Sequence, residues 1–289
     1  MAEGERDGFA TWTLGADGVE VTLAPSVGMV CCSLRHRGEE LLGQRRGLRA
    51  YAERGSTMGV PLLHPWANRL DRELDSPLVR REEHGLPVHG VLAASPLWQV
   101  DELEETRIAA ELDFGAHEEL LRVFPYPHTL RLEVELDGGA ATWTTTLEAT
   151  GDVDVPVAFG FHPYLTLPGV PRGAWEVELP AMRHLVLDER RLPTGEAREV
   201  PPFRGALDGR TFDDGFEGGE RFALRGGGRE LVVRFEEGFG WAQVFAPAAD
   251  DVVCFEPMTA PANALASGMG LRTVAPGHAF TARFSVTVR

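Results

Sequence analysis

Apolar and polar residues alternate along four well-separated stretches of the chain. Val19, Val21 and Leu23 form the first, and Leu130, Leu132, Val134 and Leu136 the second. Trp175, Val177 and Leu179 follow, and then Phe280, Ala282, Phe284, Val286 and Val288. A period of two puts one set of side chains on one face of an extended backbone, so each stretch predicts a half-buried strand with one wet face. Glycine and proline punctuate at short intervals, as in Gly138-Gly139, Pro168-Gly169, Gly226 to Gly228 and Pro276-Gly277. No long segment holds a 3.6-residue period, and the region from Leu41 to Arg54 is the place for one short helix. The pattern predicts an all-β sandwich of antiparallel sheets. No polar linker, composition shift or repeat interrupts it, so residues 1–289 read as a single domain.

Two strands end in a titratable side chain followed at once by proline. Val252, Val253, Cys254 and Phe255 form a short apolar run that ends in Glu256, and Pro257 is expected to stop regular pairing because it has no N–H to give. Val157 to Phe161 is a second apolar run, ending in His162 before Pro163 and Tyr164. A carboxylate at the lip of a hydrophobic strand loses solvent, which raises its pKa toward the range of a general base. Histidine gives or takes a proton near neutrality. One carboxylate and one imidazole are what proton-in, proton-out catalysis needs. Two unrelated strand ends facing water would show the same pattern, so convergence of the pair is a question for the fold.

Four shorter stretches carry polar groups of the kind that hold hydroxyls. MGVPLLHPWANRL, residues 58–70, reads as an ordered loop that delivers Trp66, Asn68 and Arg69 together. Asn and Arg offer fixed donors, and Trp66 a flat face for a ring, unless that indole packs into the core instead. GLPVHG places His89 in a Pro/Gly loop. TFDDGF reads as a turn in which Asp213 and Asp214 point to opposite sides if the backbone is extended. GWAQVF is a strand carrying Gln243.

Composition narrows the chemistry. The net charge of −16 argues against nucleic acid or an anionic membrane as partner. No run of 18 apolar residues predicts a membrane span, and the N-terminus MAEGERDG is no signal sequence, so the chain reads as cytoplasmic. Three cysteines, two of them adjacent, make neither a disulfide framework nor a CxxC metal site. All 28 basic residues are arginine, which removes lysine Schiff bases, pyridoxal phosphate chemistry and P-loop nucleotide hydrolysis. No histidine spacing matches a metal motif, so a metal is not expected. Asn68 and Asn263 are the only asparagines, which suggests that each is needed where it stands.

Taken in order, PWANR, VHG, FHPY, DDGF, WAQVF and CFEPMTAPANAL resemble the aldose 1-epimerase (galactose mutarotase) family over roughly residues 10 to 289. The resemblance implies a β-supersandwich of large antiparallel sheets, a monosaccharide substrate, no cofactor, and a monomer or homodimer. It also implies roles. Glu256 would be the general base and His162 the general acid. Asn68, Arg69, His89 and Asp213 would hold sugar hydroxyls, with Gln243 a cleft residue. The chain departs from the family pattern at Phe161, where an asparagine commonly precedes the histidine, and in the Met-Thr-Ala-Pro segment after Glu256. A hexose-6-phosphate mutarotase and a non-catalytic sugar-binding protein on the same fold are the alternatives. A cupin-like metal enzyme fits less well, for want of clustered histidines.

Overall fold

The computed structural model describes residues 2–289. The second alternating stretch becomes the strand His128–Asp137, in which every even-numbered residue is buried. Gly138 and Gly139 both have positive φ, so a tight turn reverses the chain into Ala140–Ala149, paired antiparallel from Asp137 opposite Ala140 to His128 opposite Ala149. This hairpin lies inside a nine-stranded sheet. The alternating strand Ala279–Val288 joins it on one side, and Arg107–Asp113 and Gln99–Leu103 on the other. Residues Ala2 to Glu40 add a five-stranded sheet whose strands follow one another in chain order. The expected helix is Gly47–Arg54, closed by Gly55 in the left-handed conformation. Two one-turn α-helices, Glu118–Leu121 and Ala264–Ser267, and three 3₁₀ turns, Pro25–Val27, Phe114–Ala116 and Arg172–Ala174, complete the helical content of the described residues.

The sheet that positions the site has seven strands, in the order Pro193–Val200, Met182–Leu187, Phe212–Glu217, Trp241–Ala246, Cys254–Met258, Gly160–Phe161 and Leu62–Leu63. One of its faces packs on the nine-stranded sheet. Phe161 meets Phe284 with ring centroids 4.9 Å apart, and Phe255 meets Phe222 at 5.3 Å. A continuous apolar core runs through this contact. Because side chains alternate, sending Phe255 into the core sends Cys254 and Glu256 to the opposite face.

Two local expectations are corrected here. Pro257 does not end the strand, which continues to Met258 with Pro257 opposite Ala242. On its other side the pairing with the short Gly160–Phe161 strand is recorded only between Gly160 and Met258, so the missing N–H falls where the ladder is sparse. The DDGF stretch is a strand, Phe212–Glu217, rather than a turn, because Trp241–Ala246 pairs along its whole length.

Gly160 is where the backbone comes closest to the site strand. A Cβ there would lie 2.6 Å from the Pro257 carbonyl oxygen, a backbone atom that cannot rotate away. We expect Gly160→Ala to lower stability by about 1–3 kcal/mol through overpacking, read as a lower denaturant midpoint. An unchanged midpoint would show that the two strands part freely.

Candidate active site

Register places the first polar residues. Gln243 lies directly opposite Glu256, and Gly215 directly opposite Gln243. Asp213, two residues from Gly215, therefore shares their face, and Gln243 Nε2 donates to its Oδ1 at 2.8 Å. Asp214 faces the other way and accepts from His184 Nε2 at 2.9 Å. His162 follows the short strand Gly160–Phe161 beside Glu256. Its Nε2 stands 3.2 Å from Glu256 Oε1, and the two residues are only 5% and 1% exposed. The imidazole stacks on Tyr164, centroids 4.2 Å apart, and meets His89 edge-on at 5.5 Å.

Two loops close the site, and backbone hydrogen bonds stitch them together. His89 N–H donates to the Asn68 carbonyl, Leu70 N–H to that of Pro87, and Val91 N–H to that of His64. Asn68 and His89 both sit at positive φ, which for side chains other than glycine marks a constrained turn. Asn68 Oδ1 accepts from Arg69 N–H at 2.8 Å and from Arg69 Nη1 at 3.3 Å, so its job is to aim the guanidinium. Arg69 then reaches Glu82 through Nε at 3.2 Å and Asp213 through Nη2 at 3.5 Å. Asn263 ties in the third loop. Its N–H donates to the Arg69 carbonyl and its Oδ1 accepts from Asp71 N–H. Both asparagines thus stand where the backbone needs them.

The result is one cavity of about 560 Å³ with Glu256, His162, His89, Asn68, Arg69, Asp213 and Gln243 on its wall. The sequence pattern of this chain matches the aldose 1-epimerase family model over residues 11–287. The chain belongs to the aldose 1-epimerase family. Solved structures share its fold over nearly their full length. A galactose mutarotase-like protein from Clostridium acetobutylicum matches at 18% identity and a TM-score of 0.85, covering 100% of this chain and 98% of the other. A protein from Synechocystis sp. PCC 6803 matches at 22% identity and 0.79, with the same coverages. An aldose epimerase homologue from C. elegans matches at 15% identity and 0.78, covering 100% and 99%.

For this aldose 1-epimerase family member, burial dominates the electrostatics of the site. Desolvation pushes the Glu256 carboxyl well above its ordinary value; Asp213 adds to the rise and Arg69 opposes it. Desolvation pushes the His162 imidazole well below its ordinary value, helped by His89 and Arg45. His89 falls to about 3 from the same cause, so it is uncharged at neutral pH. Both shifts favour the uncharged form of the His162–Glu256 contact over an ion pair. Glu256 Oε2, His162 Nδ1 and His89 Nδ1 are buried with no hydrogen-bond partner in the protein.

Trp66 is not on the cavity wall, which corrects its reading as a platform for a ring. It is 3% exposed and packs with Leu70, Val123, Ala158, Ala260 and Ala264, anchoring the loop from below. The isolated bridge between Trp66 and Ala158 fixes it there. Sequence reasoning also missed residues that the structure adds to the wall, among them Thr57, Arg80 and Glu82, and it gave Tyr164 no task. Only Tyr164 carried a signal, its place two residues after His162. No helix among the described residues is long and apolar enough to cross a membrane.

Proposed function

We propose that this protein interconverts the α and β anomers of an aldopyranose by acid/base opening and closing of the ring. The observation that supports this most is the buried Glu256–His162 pair, 3.2 Å apart on the cavity wall with Glu256 Oε2 and His162 Nδ1 unpartnered. The hydroxyl and ring oxygens of a cyclic hemiacetal are both bonded to C1, so an acid and a base acting on them must themselves be neighbours. One group takes the C1 hydroxyl proton while the other protonates the ring oxygen. The C1–O5 bond breaks and an open aldehyde results. Rotation about C1–C2 and reclosure, with the roles exchanged, give the other anomer and restore the starting protonation. Glu256 as base and His162 as acid use the second tautomer of the one-proton pair, reached by moving the proton across their contact. Asn68 and Arg69, braced by Glu82, together with His89, Asp213 and Gln243, hold the ring hydroxyls so that both oxygens meet the pair. No cofactor is needed for these transfers.

A second reading concerns substrate charge. The acidic chain and the hydrogen-bonding floor of the cavity favour a neutral aldose. At the rim, however, Arg54, Arg80 and Arg81 line the same cavity. Arg80 donates to the Gly55 carbonyl, and Arg81 to those of Gly85 and Leu74, with no carboxylate partner recorded among the described residues. Those charges suit a sugar phosphate. Polarimetry of freshly dissolved α-D-glucose, α-D-galactose and α-D-glucose 6-phosphate tests both readings. Faster mutarotation with a higher kcat/KM for the free sugars is the expected result. A clear preference for the phosphate would replace the neutral substrate, and no acceleration of any sugar would leave a sugar-binding protein as the better account.

A further inference from the structure

His162 is held from behind by a chain of contacts that the proton-transfer reading does not use. Its ring lies flat on Tyr164, at 11° between planes. The Tyr164 hydroxyl is 2.6 Å from Thr57 Oγ1 and accepts from Arg45 Nη1 at 3.3 Å. The Arg45 guanidinium stands over the Tyr164 ring, 5.2 Å from its centroid. Its Nη2 pairs with Asp250 Oδ2 at 3.2 Å, where the Asp250 side chain is 38% exposed. A fixed positive charge is thus placed one ring away from the imidazole, with its counter-charge at the surface.

We propose that Arg45 and Asp250 are a positioning pair that acts through Tyr164 to orient His162 and to govern the proton shared by His162 and Glu256. This rests on the mutarotase reading of the same site. Arg45 cannot reach Glu256 or His162 by hydrogen bond while it is engaged with Tyr164, Thr57 and Asp250, so its effect is on orientation and on charge. Nearby positive charge disfavours the imidazolium form, and Asp250 cancels part of that charge. The other groups facing the pair are accounted for. His89 is uncharged, Asp213 and Arg69 oppose each other beside Glu256, Cys254 is a buried thiol, and Phe245 packs edge-on against His162. Arg45 is the one charge that reaches His162 through Tyr164.

The two members should therefore move the pair in opposite directions. Removing the positive charge with Arg45→Met should shift the titration of the pair to higher pH by about one unit, and Asp250→Asn should shift it to lower pH by a few tenths of a unit. Arg45→Lys, which keeps the charge, should leave it near that of the wild type. Two readouts apply. One is the pH at which the Glu256 carboxyl carbon and His162 ring nitrogen NMR signals change in labelled protein. The other is the position of both limbs of the kcat/KM profile. Opposite shifts support the proposal. Shifts in the same direction mean general loosening, unmoved titrations mean no coupling, and either overturns it. Asp250 is half in solvent, so Asp250→Asn decides the sign even where Arg45→Met does not fold. If the wild type fails to speed mutarotation, the function is wrong, and the NMR titration still decides the role of Arg45.

Discussion

Glu256→Gln and His162→Asn should each lower kcat for mutarotation by about 10² to 10⁴ while sugar still binds, because each removes one of two positioned proton transfers. Glutamine keeps the shape of Glu256 and its hydrogen bond to position 162, but it cannot take a proton. Asparagine at 162 cannot cycle one near neutrality. Asp213→Asn makes the contrast. Asp213 accepts from Gln243 and from Arg69 on the cavity wall and in the proposed reaction holds hydroxyls, so its loss should raise KM more than it lowers kcat. Wild-type kcat/KM should follow a bell in pH, with both limbs belonging to the pair. Because burial pushes His162 down, the acidic limb, where the pair gains a second proton, should lie below the ordinary histidine range. Because burial pushes Glu256 up, the basic limb, where the shared proton is lost, should lie above the ordinary carboxylate range. Stopped-flow polarimetry across pH checks all three variants, and a near-normal rate in Glu256→Gln would remove Glu256 from the mechanism.

Acidification from pH 7 to about 4.5 should cost the protein several kcal/mol of stability, about 2–3 kcal/mol for each buried ring that stays uncharged in the fold, less what Glu256 returns. Four histidines are packed uncharged. His89 and His162 are in the site, while His64 and His128 lie in the core with their Nε2 atoms 2.8 Å apart among Phe114, Phe124 and Phe159. Burial pushes His128 down to about 4 and His64 well below its ordinary value. The unfolded chain protonates all four rings near 6.5, whereas the folded chain resists until lower pH. Between those values the unfolded state binds more protons, so stability is present above 6.5 and lost as pH falls through the folded values. Glu256 opposes this, since its raised value favours the fold at low pH, but it is one group against four. Guanidinium midpoints at pH 7 and 4.5 measure the difference. Equal midpoints would mean that these rings take up protons without opening the core.

The alternation of Leu130 to Leu136 and of Phe280 to Val288 was enough to call large antiparallel sheets, because burial of one face is written into a two-residue period. The motifs around Glu256 and His162 likewise stood out, because an apolar strand ending in a titratable side chain is legible wherever it falls. Distance in the chain hid the rest. Gln243 meets Glu256 only through strand register, and the resemblance had already preferred Asp213 to Asp214, but strand pairing is what turns Asp213 toward the cavity. Trp66 looked like a sugar platform, since sequence cannot tell an indole over a cavity from one beneath a loop. Arg45 and Tyr164 are 119 residues apart and meet through a hydrogen bond that no local pattern announces. The sequence by itself determined the sheets and singled out the two strand ends that carry Glu256 and His162. The tertiary structure decided that the two meet and that both are driven toward their uncharged forms, because only burial removes the water that would otherwise let Glu256 and His162 separate their charges.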